Sequence, residues 1–390
     1  MPKITPIHLK FTSSLHVGNR GIALEEARAT IPADTLFAAL VSTTREVNGL
    51  TPHDFAAPFV QNPPDPPFLL TSAFPFAGNV RFFPAPVDLI QRFNKSTRME
   101  RGKAIKRIAW ISEALISKLL DGEAPDAWLF PDDAYAEPKK GVALQGGTLW
   151  LTVDEVAKLP QWMITVQKDG SKEPRSLRAL RNLKVFSTER VPRVTIDRVT
   201  DGSTIFHAGR TTFAQDCGLW LGVQWLRPQL RVGNSNMTYQ QAFDILLQML
   251  ADSGMGGERS SGYGAFEIAK NDSTLTLPDP TPGKPAYLLS RYHPREDELP
   301  GVLQGAGAAY RLESIAGWLY SPDDVGQRRK RLYLLEEGSH ILWPGAAAGS
   351  VEDVRPEYGA PHPQQKINFP HPVWRYGLAL AAGTKEASNA

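Results

Sequence analysis

Cysteine is almost missing from this 390-residue chain: Cys217 stands alone. That excludes an internal disulfide framework and any cysteine-based zinc site, and it points to a reducing cytoplasm. No apolar run approaches the roughly 18 residues that span a bilayer. Met1 leads directly into a strand-like segment, so neither a membrane span nor a leader is expected. Metal-ligand spacing is lacking too. His53-Asp54 has the look of a metal-binding pair, but no further His or Asp ligand can be placed by spacing, and no metal or cofactor is expected. No serine sits in a G-x-S-x-G setting. Net charge is also scarce, at +2.

What charge there is lies unevenly. Residues 81–118 carry nine Lys/Arg against three Asp/Glu, and residues 166–198 carry nine against four, leaving the remainder of the chain acidic. Two basic segments on an acidic background suggest a polyanion on one face, with solvated surface charge as the plain alternative for either segment alone. Composition is otherwise that of a globular protein, and the length predicts two or three domains.

Glycine is concentrated where it matters. Gly254, Gly256, Gly257, Gly262 and Gly264 fall within eleven residues, after a well-patterned helix and before a strand-like run. Glycine permits φ > 0 and brings backbone N–H groups to a surface, so the loop suits either phosphate binding or tight packing against another backbone. Arg259, Ser260 and Ser261 add a cation and two hydroxyls. A Walker loop is excluded because the segment has no lysine, and a dinucleotide fingerprint because the order is helix, loop, strand.

Thr238 and Gln241 form a capping box for the preceding helix, with Tyr239, Phe243, Leu246 and Leu250 as its stripe and Gly254 as its stop. Leu219 to Trp225 alternates as a strand. Strand, helix, glycine loop and strand read as the first half of a ferredoxin-like βαββαβ unit. A second such entry lies near the N-terminus. There Ile7, Leu9 and Phe11 share one strand face, and Leu36, Phe37, Leu40 and Val41 stripe a helix with Asp34 as its N-cap. A hairpin is expected at Gly78-Asn79 and one helix over 99–120. Trp220, Trp225, Trp318 and Trp374 read as core. The chain is therefore expected to be α+β in two related halves, 1–190 and 191–380, with 121–147 an inserted loop and 381–390 a disordered tail.

Three motifs carry a resemblance. Leu15-His-Val-Gly18 with Pro32-Ala-Asp-Thr-Leu-Phe37, then Val191-Pro-Arg-Val-Thr-Ile-Asp-Arg198, then the glycine-rich stretch 254–264 together resemble the family of subunit four of the type III-A CRISPR Csm effector, within the RAMP superfamily. The resemblance implies two tandem ferredoxin-like, RRM-like domains with insertions and a RAMP glycine-rich loop. It implies a non-catalytic subunit in antiviral defence that holds the 5′ repeat-derived handle of the guide RNA and contacts the large polymerase-like subunit and a backbone subunit. It also implies a protruding hairpin beside the target RNA, for which 81–98 and 167–190 both qualify. A type III-B counterpart is a close variant.

The residues point the same way. Arg20, Arg92, Lys95, Arg98, Arg193, Arg198 and Arg259 could supply charge to a single strand, with Phe93 or Tyr263 to stack on a base. An RNP aromatic motif is missing, so loops must do the recognising. His16, Gly18, Asn19 and Arg20 share one glycine-flanked turn, where a donor to RNA or an ordinary surface histidine would look alike. Asp197 could pair with Arg193 or Arg198, and Glu258 with Arg259, as surface ion pairs of little energy. An alternative function is a metal-independent RAMP endoribonuclease that processes repeat RNA, with His16 as general acid or base. A third is an assembly protein whose glycine loop grips only protein.

Overall fold

A computed structural model describes residues 3–18, 26–130, 136–169, 171–196, 203–270, 274–321, 324–356, 369 and 371–385. Strand β1 (Lys3–Phe11) is followed by helices α1 (Ala33–Thr43) and α2 (Pro52–Val60), then strands β2 (Phe68–Leu70), β3 (Phe74–Ala77) and β4 (Val80–Pro84). The hairpin between β3 and β4 turns at Gly78-Asn79, as its sequence predicts. Next come α3 (Lys95–Ile105), β5 (Trp110–Ser112), α4 (Glu113–Leu120), α5 (Asp126–Leu129), β6 (Gly141–Leu144), β7 (Leu149–Thr152) and α6 (Gln161–Ile164). Two hairpins follow, β8 (Thr165–Lys168) with β9 (Ser171–Pro174), and the long β10 (Phe186–Ile196) with β11 (Ser203–Phe213). The unit closes with β12 (Cys217–Trp225), α7 (Tyr239–Ser253) and β13 (Phe266–Lys270).

One large sheet runs β13-β1-β12-β3-β4-β5-β7-β6, with β2 also beside β12 and the short β14 (Leu275–Thr276) beside β1. Its first four strands pair antiparallel throughout. With α1 and α7 they complete a βαββαβ order in which β1 lies between β13 and β12. Leu9, Leu219, Leu221 and Val223 share one core with α1, α2 and α7, whereas Ile4 and Trp220 face a second core with α4. Period-two alternation thus fills both faces of the sheet.

Several expectations change. A boundary at 190/191 does not separate two sheets, because β1 pairs with strands from the second half. The βαββαβ order is interleaved rather than tandem, and α7 with its glycine loop belongs to the second half of the unit, not the first. Residues 80–213 are the insertion that splits it. The helix expected over 99–120 is interrupted, because Trp110–Ser112 is drawn into the sheet beside β4 and β7. Residues 381–390 are not all tail: β23 (Ala381–Gly383) is buried and pairs with β15 (Pro285–Leu288).

After β14 the chain forms short antiparallel ladders. These are β15 with β20 (His340–Leu342) and β23, β16 (Leu312–Ile315) with β19 (Leu332–Leu335), β17 (Trp318–Ser321) with β18 (Asp324–Arg328), and β21 (Gly349–Asp353) with β22 (Trp374–Leu378). Among the described residues from 274 onward there is no α-helix, and those residues show no second ferredoxin-like unit. Tyr376 ties this region to the first core, its hydroxyl accepting from the Leu70 N–H at 3.1 Å. No helix among the described residues is long and apolar enough to cross a membrane.

Candidate functional site

The capping box forms as predicted: Gln241 N–H donates to the Thr238 hydroxyl and Thr238 N–H to the Gln241 amide oxygen. At the other end of α7, Gly254 takes φ +83°. A Cβ there would lie 2.7 Å from the Tyr263 carbonyl oxygen, one on Gly256 2.4 Å from that of His16, and one on Gly264 2.1 Å from that of Met255. No side chain fits at such distances. The loop is stitched to the N-terminal turn by two amides, Gly257 N–H to the His16 carbonyl and Gly264 N–H to the Ser14 carbonyl, both at 2.8 Å. Gly254 and Gly262 donate to Leu250 and Arg259. The expectation that Gly254, Gly257 and Gly262 offer bare amides to phosphate is therefore corrected: those hydrogens are taken within the protein, and the glycines serve close backbone approach.

The loop's crest is different. Gly262 has φ +82° with nothing near its missing Cβ, and Arg259, Ser260 and Ser261 are exposed. Arg259 has no ion pair among the described residues. Glu258, expected to pair with Arg259, instead faces Arg193 of β10 at 3.9 Å. The Arg193 guanidinium also lies over the Tyr263 ring, 5.1 Å from its centroid, a contact worth about 0.5–1 kcal/mol at an exposed site. The hairpin thus holds the crest from one side.

His16 sits beneath. It is 5% exposed, and its Nδ1 donates to the Gly209 carbonyl of β11 at 2.6 Å. A carbonyl only accepts, so Nδ1 carries the proton. The other edge of the ring lies under Gly257, where a Cβ would meet Cδ2 at 2.8 Å. His16 is a strut between hairpin and glycine loop.

Other expected residues lie elsewhere. Arg92 is bound to Asp88 at 3.0 Å and to His340 at 3.0 Å, and Phe93 is core. Burial pushes the Asp88 carboxyl up, but the hydrogen bond and charge of His340 and the Arg92 guanidinium outweigh it and leave the pKa at about 2. Arg92 is therefore structural, and Phe93 cannot stack on a base. Lys95 is exposed at the start of α3 and lies outside the groove described below. Asn19, Arg20 and Arg198 lie outside the described residues. Segment 81–98 is no protruding hairpin, since Val80–Pro84 is a fully buried strand; segment 167–190 holds most of the β8–β9 hairpin, largely exposed, and the start of β10.

A groove of about 730 Å³ opens between the His16–Gly18 turn and glycine loop on one side, α1 along its floor, and the C-terminal ladders on the other. Arg28, Arg45, Arg259, Arg291, Arg329 and Arg375 line it. Asp34, expected as a helix cap, is instead a buried bridge: Arg291 reaches it at 3.2 Å and Arg375 at 3.3 Å. The N-cap is Pro32, and the Ala33 N–H is held by the Ser72 hydroxyl at 2.8 Å. Glu313 binds both Arg28 and Arg291. Burial presses on Arg291, but Asp34, Glu337 and Glu313 hold its pKa up, so it stays charged. Sequence reading missed this cluster, because Arg28, Arg291, Arg329 and Arg375 come from four separate segments and only Arg329 lies in a basic run, Arg328-Arg329-Lys330-Arg331. Trp318, expected in the core, is 65% exposed beneath the Arg328 guanidinium. Among the described residues no group of His, Cys, Asp and Glu could hold a metal.

Residues 281–384 match the CRISPR Csm4 C-terminal domain family. Over 297 residues the chain is 25% identical to the CRISPR system Cms protein Csm4 of Mycobacterium tuberculosis, covering 75% of this chain and 87% of that protein. Its fold is similar to Csm4 chains in two solved structures. One is a Csm3–Csm4 subcomplex of the type III-A interference complex, at a TM-score of 0.60, 14% identity and coverage of 98% and 99%. The other is a Csm1–Csm4 cassette in complex with cA4, at 0.51, 15% and 99% of both chains. These likenesses place the chain in a class, the subunits of type III CRISPR effectors. Within it the resemblance read from three short motifs stands, and the chain is a relative of Csm4.

Proposed function

We propose that this protein is a non-catalytic, single-strand RNA-binding subunit of a type III-A effector, holding the 5′ handle of the guide RNA in the arginine-lined groove beside the glycine loop. The observation that carries it is the convergence on one groove of the exposed Arg259-Ser-Ser crest, the His16–Gly18 turn and the C-terminal arginines. Such a surface suits a backbone of phosphates better than a flat protein partner. The relatives were solved with Csm3 and with Csm1, and by analogy this chain bridges a backbone subunit to the large polymerase-like subunit. The hairpin β10–β11, which carries the paired and exposed Val194 and Ile205, is then the element that stands beside the target RNA.

His16 is poorly placed as an acid or base, being buried and pinned through Nδ1. Incubating the protein with repeat RNA without metal separates the readings: no cleavage is expected, and site-specific cleavage lost in His16→Ala would establish the endoribonuclease instead. Handle binding should weaken in Arg193→Ala/Arg259→Ala, with a shallower dependence on salt because fewer counterions are released. An unchanged slope, with Arg259 crosslinking only to protein, would favour a pure assembly role.

A further inference from the structure

The C-terminal wall of the groove is short of negative charge. Arg28, Arg291, Arg329 and Arg375 are met there by Asp34, Glu313 and Glu337. Of the four cations, Arg329 has no carboxylate within salt-bridge distance among the described residues. Its Nη2 donates to the Ala316 carbonyl, while its Nε is buried with no acceptor. The Nε of Arg375 is orphaned as well. Burial, then the charges of Arg375 and Arg291, push the Arg329 pKa down to about 9. Burial likewise raises the pKa of Glu337, the carboxylate at the back of the cluster, despite Arg291. Guanidiniums cost free energy when buried together without an anion. Yet both Arg329 and Arg375 line an open groove rather than a closed core.

We infer that the groove contains a dedicated phosphate subsite, in which Arg329 and Arg375, facing the glycine loop across the groove, clasp one phosphodiester of a bound RNA strand. The guanidiniums that line the groove supply donors of the kind a phosphate oxygen accepts, and their planar shape presents these in a fixed fork. The site is charged in advance and unsatisfied until the strand arrives. Arg291 stays with its carboxylates and orients Arg375 through their shared Asp34. This rests on the reading of the groove as an RNA face, but it fails separately from it.

The test uses the full chain and three variants, Arg329→Gln, Arg329→Lys and Arg259→Ala, with inorganic phosphate and a handle-length oligoribonucleotide as probes. Without ligand, Arg329→Gln should melt no lower than wild type, because it removes a cation that repels its neighbours. A structural ion-pair role predicts the reverse. Phosphate should raise the wild-type melting midpoint by linkage and leave that of Arg329→Gln unmoved. The RNA should bind Arg329→Gln about tenfold more weakly, a loss expected for one charge-assisted contact. Its log–log salt slope should be shallower by about 0.7, while Arg329→Lys recovers most of the affinity. Wild-type RNA affinity and slope in Arg329→Gln would overturn the subsite while leaving the crest of Arg259 to carry the handle. Phosphate stabilisation through Arg329 without RNA binding would overturn the handle reading while leaving the anion site. A free protein made more stable by Arg329→Gln but blind to phosphate and RNA would assign the cation to a partner's carboxylate and overturn the proposal.

Discussion

The two walls of the groove are made of different materials. On one side the glycine loop meets the Ser14–His16 turn through neutral backbone, with carbonyls where side chains would be and amides already satisfied. On the other side α1 meets the C-terminal ladders through guanidiniums and carboxylates, with cations in excess. The first wall is fixed by sterics and is indifferent to salt. The second is held by charges whose balance a ligand can change. A strand lying between them would meet one rigid edge that sets its position and one responsive edge that sets its affinity.

The largest effect should come from removing the carboxylate that two arginines share. Asp34→Asn leaves Arg291 and Arg375 buried and short of charge, and should cost about 3–5 kcal/mol by denaturant unfolding. Restoring balance with Asp34→Asn/Arg375→Gln should return part of that. A loss below about 1 kcal/mol would mean that the charged wall is screened like a surface.

Gly264→Ala tests the other wall. Its Cβ would meet the Met255 carbonyl at 2.1 Å and its φ of +84° is strained for alanine, so about 2–4 kcal/mol should be lost. Gly262→Ala has nearly the same φ with open space, and should cost only about 1 kcal/mol. Equal losses would show that backbone strain, not close approach, explains the glycines.

Acid probes the sheet on which both walls stand. Burial, with Arg81 and Lys10 nearby, lowers the His8 pKa from 6.5 to about 4. Between those values the unfolded chain binds the proton and the folded one does not, so stability falls as pH drops from about 6.5 to 4, by about 2–3 kcal/mol. His8→Phe should flatten this dependence without abolishing it, because burial also lowers His293 and His340. The smallest effect is expected for Arg193→Ala, which loses the half-buried Tyr263 and Glu258 contacts and should cost about 1 kcal/mol, read by the same unfolding measurement.

Local chemistry was legible in the chain. The capping box of Thr238 and Gln241, the stop at Gly254 and the turn at Gly78-Asn79 each depend on residues a few positions apart. What could not be read was set by distance. Arg92 lies in a basic segment and looks like part of a face, yet besides the nearby Asp88 it is held by His340, 248 positions along the chain. Asp34 stands where a helix cap would stand, and only the approach of Arg291 and Arg375 makes it a bridge. The family motifs marked the glycine loop and the His16 turn because both lie within short continuous stretches. The charged wall is assembled from arginines of four separate segments; Arg329 alone lies in a basic run, Arg328-Arg329-Lys330-Arg331, and nothing in that run points to Arg28, Arg291 or Arg375.

Strand β1 leaves the ribosome long before its sheet neighbours, residues 217–225, 266–270 and 275–276. Until those neighbours emerge, the nine residues Lys3–Phe11 have both edges bare, and the loop that must close around them is longer than most domains. Those edges are sticky in the interim. A polypeptide of this design is expected to mature late and all at once, and a truncated product ending near residue 190 should be recovered as aggregate.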